Sequence, residues 1–584
     1  MIPGNHIYLD TETTFTTLPD GNVEHTLKLG VAIYVCYDKN LKVKTRRVKH
    51  FTDTATIWRF IKSHTRQKAK LVVFAHNIFF DLWVSQIYLN AFKDGWKSKI
   101  PYSKGLVYID TLRKDKAAIQ LVNTGNFFKT TVRKLGKMLG FAKGKVDFDT
   151  VDTTELAIYC ERDAEILEKA MLKWLTFIRS RDLGNFAFTL AGQAFNAYRH
   201  RFMTYPVALH RDNQPADMEK EAYYGGRCEA FYIGKIRKEK VYKLDINSMY
   251  PSVMLHNYFP NRFKYVKKSL SIHQLKKIII RDAVVAKVKL TTDKPAYPKK
   301  IDNKLCFPVG TFETTLCTPE LYYALQHNHI VEIGKTALYE QKPLFTNYVK
   351  ELYALRQEFQ KQGNEIFQYC AKIMLNSLYG KFGQRQREAD IEKVEDNTLI
   401  ASSIIINAQT RETSREVIFG GLKKITTLKE TEAYHAFTAI AAHVTSYARV
   451  VLQETMDRLD REDYYYCDTD SLFVRESAIE KLKDLIDDKE LGKWKIEEIS
   501  DNVVIRGLKD YTFGNHTKLK GIRNLNDRTG INDYNVQVWP GFPLVFERHL
   551  DQPYVVKSGT KHICREYTKG NISSTGQVIP FCLS

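Results

Sequence analysis

Acidic side chains that could bind divalent cations stand in two groups along this chain. Carboxylates that hold two metal ions can stabilise both the attacking and the leaving oxygen when a phosphodiester bond is made or broken. The first group lies near the start of the chain and the second in its middle and later parts. The positions are Asp10, Glu12, Asp81 and Asp163 in the first group, and Asp245, Asp468 and Asp470 in the second.

The first group has spacings that would bring its members together. Residues i and i+2 of a strand face the same side, so Asp10 and Glu12 would project together. Residues i and i+4 share a helix face, which places Tyr159 beside Asp163. The segment 152–155, Asp-Thr-Thr-Glu, has the form of a capping box that would begin this helix. Acids from separate segments would repel one another unless metals neutralised them, so Mg²⁺ or Mn²⁺ is predicted.

The second group is predicted at the ends of two strands. The segment 243–246 has the pattern of a strand that runs into a turn, and 464–467 that of a strand that meets a hairpin. If these strands are neighbours, Asp245 and Asp470 can share a pair of metal ions. Asp468, two residues before Asp470, would add negative charge on the same side.

A predicted helix between the two halves of the second group carries a polar and aromatic stripe. Lys372, Asn376 and Tyr379 fall at i, i+4 and i+7, which is one face of a helix. A cation, an amide and a ring in this order could contact a triphosphate, a sugar and a base. The alternative is a solvated amphipathic face, which the Asn and Gly in the segment disfavour. The extended stripe comprises Lys361, Glu365, Gln368, Lys372, Asn376 and Tyr379.

Composition and charge limit the class of protein. The 584 residues exceed what one core accommodates, so several domains are expected. With 88 Lys and Arg against 67 Asp and Glu, the net charge is +21. Because the basic residues are spread along the chain, they favour a groove for a nucleic-acid backbone over a charge that serves solubility alone. Nine cysteines without metal-ligand spacing, no signal peptide and no apolar run of membrane-spanning length indicate a soluble, intracellular protein.

The second group and the stripe resemble the three signatures of family B DNA polymerases. These are D-x-x-S-x-Y-P-S from Asp245, K-x-x-x-N-S-x-Y-G from Lys372 and Y-x-D-T-D-S from Tyr466. More narrowly, the chain resembles the small protein-primed replicases of bacteriophages. Residues 223–226 look like their Y-x-G-G element and 509–511 like their K-x-Y element. The resemblance spans nearly the whole chain.

The first group resembles the proofreading exonuclease of the DnaQ-like superfamily, chiefly through N-x-x-F-D at 77–81 preceded by His76. The resemblance implies that Asp10, Glu12, Asp81 and Asp163 hold two metal ions and that Tyr159 orients the attacking water. It further implies contacts with the frayed 3′ end from Thr13, His76, Asn77 and Phe80. Lys143 and Lys145 are both candidates for the exonuclease-site lysine. The family's S/T-L-x-x-h element has its nearest counterpart at 124–128, which lacks the Leu.

For the polymerase site, the resemblance implies that Asp245 and Asp470 are the ligands of two Mg²⁺ or Mn²⁺ ions, supported by Asp468. Tyr250 would lie under the deoxyribose and exclude a 2′-hydroxyl. The other implied nucleotide contacts are Lys361, Lys372, Asn376 and Tyr379. The implied contacts with DNA are Tyr223, Gly225, Gly226, Ser248, Lys509 and Tyr511.

The expected fold is a mixed α/β and α+β multidomain protein, an RNase H-like exonuclease domain joined to a right-hand polymerase with two insertions. The first insertion would contact the terminal protein, and the second would confer strand displacement and processivity. The expected boundaries are 1–185 for the exonuclease domain, 186–260 and 428–530 for the palm, 261–358 for the first insertion, 359–394 for the fingers, 395–427 for the second insertion and 531–584 for the thumb.

The predicted function is DNA-directed DNA synthesis that replicates a linear phage genome by protein-primed, strand-displacing extension, with 3′→5′ proofreading. The expected partners are template and primer DNA, dNTPs, a terminal protein as primer and a single-stranded DNA-binding protein. One alternative is a family B polymerase that extends ordinary DNA or RNA primers. Another is a non-catalytic DNA-binding protein, which the presence of every expected carboxylate disfavours.

Overall fold

The fold is that of a mixed α/β multidomain protein, as the sequence predicts. A computed structural model describes residues 2–148, 150–237, 239–547 and 549–584. All nine cysteines lie within these ranges and are free thiols. Among the described residues, no helix combines the length and the apolar character required to cross a membrane.

The first unit is a twisted sheet covered by helices. Its elements are β1 (Asn5–Thr17), β2 (Val23–Tyr37), β3 (Val43–Phe51), α1 (Thr54–Ser63), β4 (Lys70–Ala75), α2 (Ile78–Val84), α3 (Ile87–Lys93), β5 (Lys97–Ser98), β6 (Tyr102–Lys104), β7 (Val107–Lys114), β8 (Ala117–Asn123), α4 (Val132–Met138) and α5 (Thr153–Ser180). The strand order is β2-β1-β4-β8-β7-β5, with β1 and β4 parallel. The predicted cap of α5 is present, because the Asp152 carboxylate accepts the N–H groups of Thr154 and Glu155 at 2.8 Å.

The chain then enters the predicted palm and the first insertion. The palm elements are α6 (Leu190–Ala197), α7 (Asn213–Ala222), β9 (Cys228–Ala230), β10 (Gly234–Ile236), β11 (Val241–Ile246) and α8 (Met249–His256). The insertion elements are β12 (Phe259–Lys267), α9 (Ile272–Ile278), β13 (Ala283–Thr292), β14 (Lys299–Ile301), β15 (Lys304–Cys306), β16 (Val309–Cys317), α10 (Thr318–Gln326) and β17 (Ile330–Lys342). The insertion sheet has the order β12-β17-β13-β16 and its own core, in which Leu275 and Leu321 are fully buried.

Two helices that follow the insertion form the predicted fingers, α11 (Thr346–Lys361) and α12 (Glu365–Ser377), with the short α13 (Tyr379–Phe382) after them. The expected boundary at 358/359 falls inside α11. The single extended stripe is wrong. Gly363 has a φ of +65° and separates the two helices, so Lys361 ends α11 and cannot share a helix face with Lys372.

The second insertion is a four-stranded sheet that begins earlier and ends later than the predicted 395–427. Its strands are β18 (Arg385–Lys393), β19 (Ala401–Ile406), β20 (Thr413–Phe419) and β21 (Leu422–Glu432), in the order β18-β21-β20-β19. Because β18 pairs with β21, both strands belong to one unit. Phe419 lies buried at its base, with its ring centroid 5.0 Å from that of Tyr88 in α3.

The second part of the palm completes the central sheet. Its elements are α14 (Thr438–Met456), β22 (Tyr464–Asp468), β23 (Ser471–Arg475), α15 (Glu476–Leu482), β24 (Trp494–Ser500), β25 (Val503–Gly507), β26 (Asp510–Phe513) and β27 (His516–Leu519). The central sheet has the order β24-β11-β23-β22-β9. Leu452 of α14 packs with Ile246 and Leu472 in the core beneath it. Segments separated by more than 200 residues, β11 ending at Ile246 and β22 beginning at Tyr464, therefore form one sheet.

The predicted thumb, 531–584, is not one unit. Its strands are β28 (Asp533–Val538), β29 (Tyr554–His562), β30 (Asn571–Ile572), β31 (Val578–Ile579) and β32 (Cys582–Leu583). β29 pairs with β2, so the β28–β29 hairpin extends the sheet of the first unit. The chain then returns along the palm, and β32 pairs with β16 of the first insertion. Both pairings cover the edges of existing sheets, which would otherwise leave backbone groups unpaired.

Candidate active sites

The first candidate site forms where β1, α2 and α5 meet. Asp10 and Glu12 lie on β1, which has an irregular register with β2 directly after Glu12. Asp81 lies in the first turn of α2 and is buried, and the Thr11 hydroxyl donates to its Oδ1 at 2.7 Å. Asp163 projects from the buried face of α5. The structure thus brings together the four acids that the sequence predicts.

Of the two candidate lysines, Lys143 lies within this site. Its Nζ donates to Oδ2 of Asp163 and lies 4.5 Å from the centroid of the Tyr159 ring, which positions both side chains. Lys145 is exposed. The second oxygen of Asp163, Oδ1, is buried and has no hydrogen-bond partner among the described residues. A buried carboxylate oxygen in this state is available to a cation.

Burial and mutual repulsion raise the pKa of the acids at this site. The pKa of Asp10 lies well above its usual range because of burial and then the charges of Asp163, Asp81 and Glu12. Burial raises the pKa of Glu12 to about 7, against the opposing effect of Lys143. Burial also raises the pKa of Asp81 well above its usual range. Carboxylates that resist ionisation by themselves fit a site for hard divalent cations.

Cys160 is a member of this site that the sequence reasoning missed. Its thiol donates to Oδ2 of Asp10 at 3.4 Å, and ligand atoms of Asp10, Glu12 and Cys160 all lie within 4.8 Å of one another. The position could have been anticipated, because residue 160 precedes Asp163 by three residues on the same helix.

Two of the predicted contacts with the 3′ end, His76 and Asn77, are fixed by hydrogen bonds to residues 123 and 124. Asn77 begins α2 with a left-handed φ of +71°, and its N–H donates to Oδ1 of Asn123 at 3.0 Å. His76 Nδ1 lies 2.9 Å from Oγ1 of Thr124, the first residue of the segment 124–128 that is the nearest counterpart of the S/T-L-x-x-h element. That segment begins as a buried turn at 124–126, so its Thr124 side chain supports His76.

Phe80 joins an aromatic cluster that only the tertiary structure creates. Its ring lies 5.0 Å from Tyr554 and 5.8 Å from Trp539, between centroids, and both partners come from the C-terminal hairpin. His25 lies 5.6 Å from the same ring, and its Nδ1 is 2.9 Å from Oγ1 of Thr13. Trp539 is 42% exposed, so the cluster presents a face on which a base could stack.

The second candidate site lies at the end of the central sheet. Asp245 of β11 is paired with Ser471 of β23, and the N–H of Ile246 donates to the carbonyl of Asp470 at 2.7 Å. The two predicted strands are therefore not neighbours, because β23 lies between β11 and β22. It is the turn between β22 and β23 that brings Asp470 to the same end of the sheet as Asp245. Burial and then the charge of Asp245 raise the pKa of Asp470 to about 6. Burial raises the pKa of Asp245 too, opposed by Lys495, whose Nζ lies 3.6 Å away.

Asp468 has a different environment from its two neighbours. Lys509 Nζ lies 2.6 and 2.5 Å from its two carboxylate oxygens, so the charge of Asp468 is balanced within the protein. The N–H of Lys509 donates to the Tyr466 hydroxyl at 3.0 Å. Tyr511 is mostly buried, with its ring centroid 5.1 Å from that of Phe473. The predicted DNA-contacting pair at 509–511 thus also positions the strand that carries Asp468.

Two of the predicted nucleotide-contacting residues, Tyr250 and Tyr379, lie within range of the Asp470 charge. The rings of Tyr250 and Tyr379 are 4.5 Å apart between centroids. Lys372 is exposed on α12 and Asn376 is half-buried. Ser248 has a left-handed φ of +54°, and its Oγ accepts a hydrogen bond of 2.8 Å from Arg356 of α11, which the sequence reasoning missed.

Residues 223–226 pack against the turn formed by Asp468, Thr469 and Asp470. Gly225 has a φ of +85°. A Cβ atom at Gly226 would lie 2.8 Å from Oγ1 of Thr469 and 3.1 Å from the Tyr250 hydroxyl, so only glycine fits. At Gly383, a Cβ would lie 2.6 Å from the ring of Tyr223. The segment therefore packs between the Asp468–Asp470 turn and the fingers.

Comparison with known proteins agrees with this geometry. The family described as DNA polymerase type B, organellar and viral, matches residues 145–462, more than half of the chain, and the chain belongs to this family. A probable DNA polymerase of Neurospora intermedia is 26% identical over 377 residues, which are 61% of this chain and 37% of that protein. The DNA-directed DNA polymerase of Enterobacteria phage PRD1 is 25% identical over 380 residues, 63% of this chain and 62% of the phage protein. The chain thus spans less than half of the Neurospora relative.

The fold is shared with a solved polymerase. Phi29 DNA polymerase complexed with primer-template DNA superimposes with a TM-score of 0.69, covering 96% of this chain and 100% of that chain at 15% identity. Its complex with primer-template DNA and incoming nucleotides gives a TM-score of 0.68. The chain therefore shares the multidomain fold of this polymerase.

Proposed function

We propose that this protein is a DNA-directed DNA polymerase with a 3′→5′ exonuclease. The observation that carries the proposal is the meeting of Asp245 and Asp470 at one end of the central sheet, with Tyr250 in range of the Asp470 charge. Family membership and the likeness to a polymerase solved with primer-template DNA support it. Incorporation of labelled dNMP on a primed template tests it, and a protein that binds DNA without incorporation would refute it.

In synthesis, Asp245 and Asp470 would hold the divalent ions, which stabilise charge on the attacking and leaving oxygens. Lys509 neutralises Asp468 and fixes the hairpin that carries Asp470. Lys372, exposed on α12, would bind the triphosphate. The Tyr250 ring, held against Tyr379, would bound the sugar position and exclude a 2′-hydroxyl.

In proofreading, the first site would bind the same class of ion through Asp10, Glu12, Asp81 and Asp163. Tyr159, with Lys143 beside its ring, would orient the attacking water. The aromatic cluster around Phe80 would stack on an unpaired base, because every base offers a π-face to an aromatic side chain. Since the cluster joins the first unit to the C-terminal hairpin, both would move together around the frayed strand.

Metal-free protein should lose stability as the pH rises, and Mg²⁺ should restore it. Glu12 and Asp470 have folded-state pKa values of about 7 and about 6, above the unfolded values of 4.5 and 3.8. The two protonated carboxyl groups therefore contribute fully to the free energy of unfolding below their unfolded-state pKa values. This contribution is lost as the pH rises through their folded-state pKa values, by up to about 1.4 kcal/mol per pH unit for each group. Thermal unfolding with and without Mg²⁺ at about pH 5 and about pH 8 should show the larger Mg²⁺ effect at the higher pH. Equal effects at both would contradict this expectation.

We further propose that synthesis is primed by a terminal protein and displaces the non-template strand. The first insertion has its own core and an exposed lysine-rich surface that includes Lys287, Lys289 and Lys335, which suits a macromolecular partner. The second insertion is a projecting sheet whose β19 strand exposes Ile404 and Ile406, suited to separating strands.

An initiation assay decides between protein priming and the extension of ordinary primers. Labelled dNTP and candidate terminal proteins, without any oligonucleotide, should give a protein-linked product. Charge reversal at Lys289 and Lys335 should reduce this product while extension of an annealed oligonucleotide continues. If both activities fall together, or neither does, the first insertion is not the surface for the terminal protein.

A further inference from the structure

A buried arginine joins the first insertion to the palm. Arg449 of α14 donates from Nε to Oε1 of Glu320 at 2.9 Å, and its Nη2 lies 2.8 Å from the same oxygen. Both side chains are 2% exposed. Glu320 lies in the first turn of α10, where its other oxygen accepts the N–H of Cys317 at 3.4 Å. The backbone at the start of α10 therefore helps to hold the Glu320 carboxylate in place for Arg449.

The guanidinium of Arg449 also binds the segment 225–227, which packs against the turn formed by Asp468, Thr469 and Asp470. Its Nη1 donates to the carbonyl of Gly225. The next residue, Gly226, is packed so closely that a Cβ would lie 2.8 Å from Oγ1 of Thr469. The carbonyl of Arg227 accepts the Thr469 N–H at 2.6 Å. Since Thr469 separates Asp468 from Asp470, a short series of contacts leads from Glu320 to the metal-binding carboxylates.

A second buried arginine connects the same segment to the insertion. Arg227 is 1% exposed and donates from Nη2 to the carbonyl of Pro295 at 2.9 Å. Its guanidinium lies 4.1 Å from the centroid of the Phe307 ring. Pro295 and Phe307 both belong to the first insertion. The residues on either side of Gly226 are thus both fixed by contacts that involve the insertion.

We propose that Glu320 is a positioning residue of the polymerase site, which through Arg449 and residues 225–227 sets the place of the turn that carries Asp470. This inference rests on the proposed polymerase function. A buried ion pair holds its partners in a narrow range of geometries, because leaving either charge unpaired in the interior is costly. A displacement of α10, such as a partner bound to the insertion would produce, is therefore transmitted to the metal-binding carboxylates.

The decisive variant is Glu320→Gln, which keeps the size of the side chain and removes its charge. Single-turnover addition of one dNMP should slow by about ten- to a hundredfold, as expected when a reacting group is misplaced by about 1 Å. The Mg²⁺ concentration for half-maximal synthesis should rise. The exonuclease rate and its Mg²⁺ dependence, measured on the same protein, should stay unchanged. If Glu320 served stability alone, its replacement would lower both activities, so a selective loss of synthesis distinguishes the two roles. Glu320→Asp, which keeps the charge, should recover part of the rate.

Asp282→Asn is the matched control. It removes the 2.8 Å ion pair of Asp282 with Lys264, which lies within the insertion, and should leave synthesis unchanged. An unchanged Mg²⁺ requirement, or a proportional loss of both activities, in Glu320→Gln would overturn the proposal. If that variant does not fold, Glu320→Asp decides by the same readouts, and wild-type behaviour there overturns it. A wild-type protein that incorporates no dNMP would instead refute the proposed polymerase function.

Discussion

Asp470→Ala should abolish nucleotide addition while binding of primed template remains near that of the wild type. The carbonyl of Asp470 accepts the N–H of Ile246, which follows Asp245, so the two acids lie at the same end of the central sheet and would share the metal ions of synthesis. Loss of this ligand removes several kcal/mol of transition-state stabilisation, which corresponds to at least about a thousandfold loss of rate. Primer extension and gel-shift titration on the same preparation measure the two properties.

DNA binding should persist because its free energy comes mainly from Lys and Arg contacts with phosphates, and the chain has a net charge of +21. Removing one acid does not weaken those contacts. Asp488→Ala, which removes an exposed acid from the same part of the chain, is the control and should extend primers normally. Continued extension by Asp470→Ala would show that the metal ions are held elsewhere.

The combined change Asp10→Ala with Glu12→Ala should eliminate degradation of single-stranded DNA and leave most synthesis intact. Both acids lie on β1, in a sheet that shares no strand with the central sheet of the polymerase site. The loss should again be at least about a thousandfold, since a two-metal site loses two of its ligands. Release of labelled nucleotides from a single strand, with single-dNMP addition on a primed template, gives both rates.

A matched control for this variant is available in the same sheet. Asp20→Ala with Glu24→Ala removes two acids near the β1–β2 turn, away from α5, and should keep both activities. A parallel loss of synthesis in the Asp10 and Glu12 variant would contradict the assignment of two separate sites. Normal nuclease activity in that variant would show that β1 does not carry the exonuclease ligands.

The sequence alone predicted which carboxylates would come together, because the relevant geometry is local. Alternation along a strand sets Asp10 beside Glu12, and one helical turn sets Tyr159 beside Asp163. The polymerase hairpin is equally local, since a strand, a tight turn and a second strand hold Asp468 and Asp470 within three residues. Order and spacing of these short patterns also indicated the family, which the comparison confirmed.

Element boundaries needed the structure because they depend on pairing between distant segments. β18 belongs to the second insertion only through its pairing with β21. The break at Gly363 was missed because a helical stripe can be traced across a turn in sequence, whereas the folded chain reverses there and packs Phe359 against Phe367. Polar spacing by itself does not show where a helix ends.

The tertiary structure also decided which side chains assist the carboxylates. Lys143 and Lys145 have the same chemistry, and only the fold directs the former to Asp163. The contact of Phe80 with Trp539 and that of Glu320 with Arg449 join segments far apart in the chain. Such contacts are selected by the packing of whole elements and the requirement that buried charges find partners, neither of which a local pattern contains.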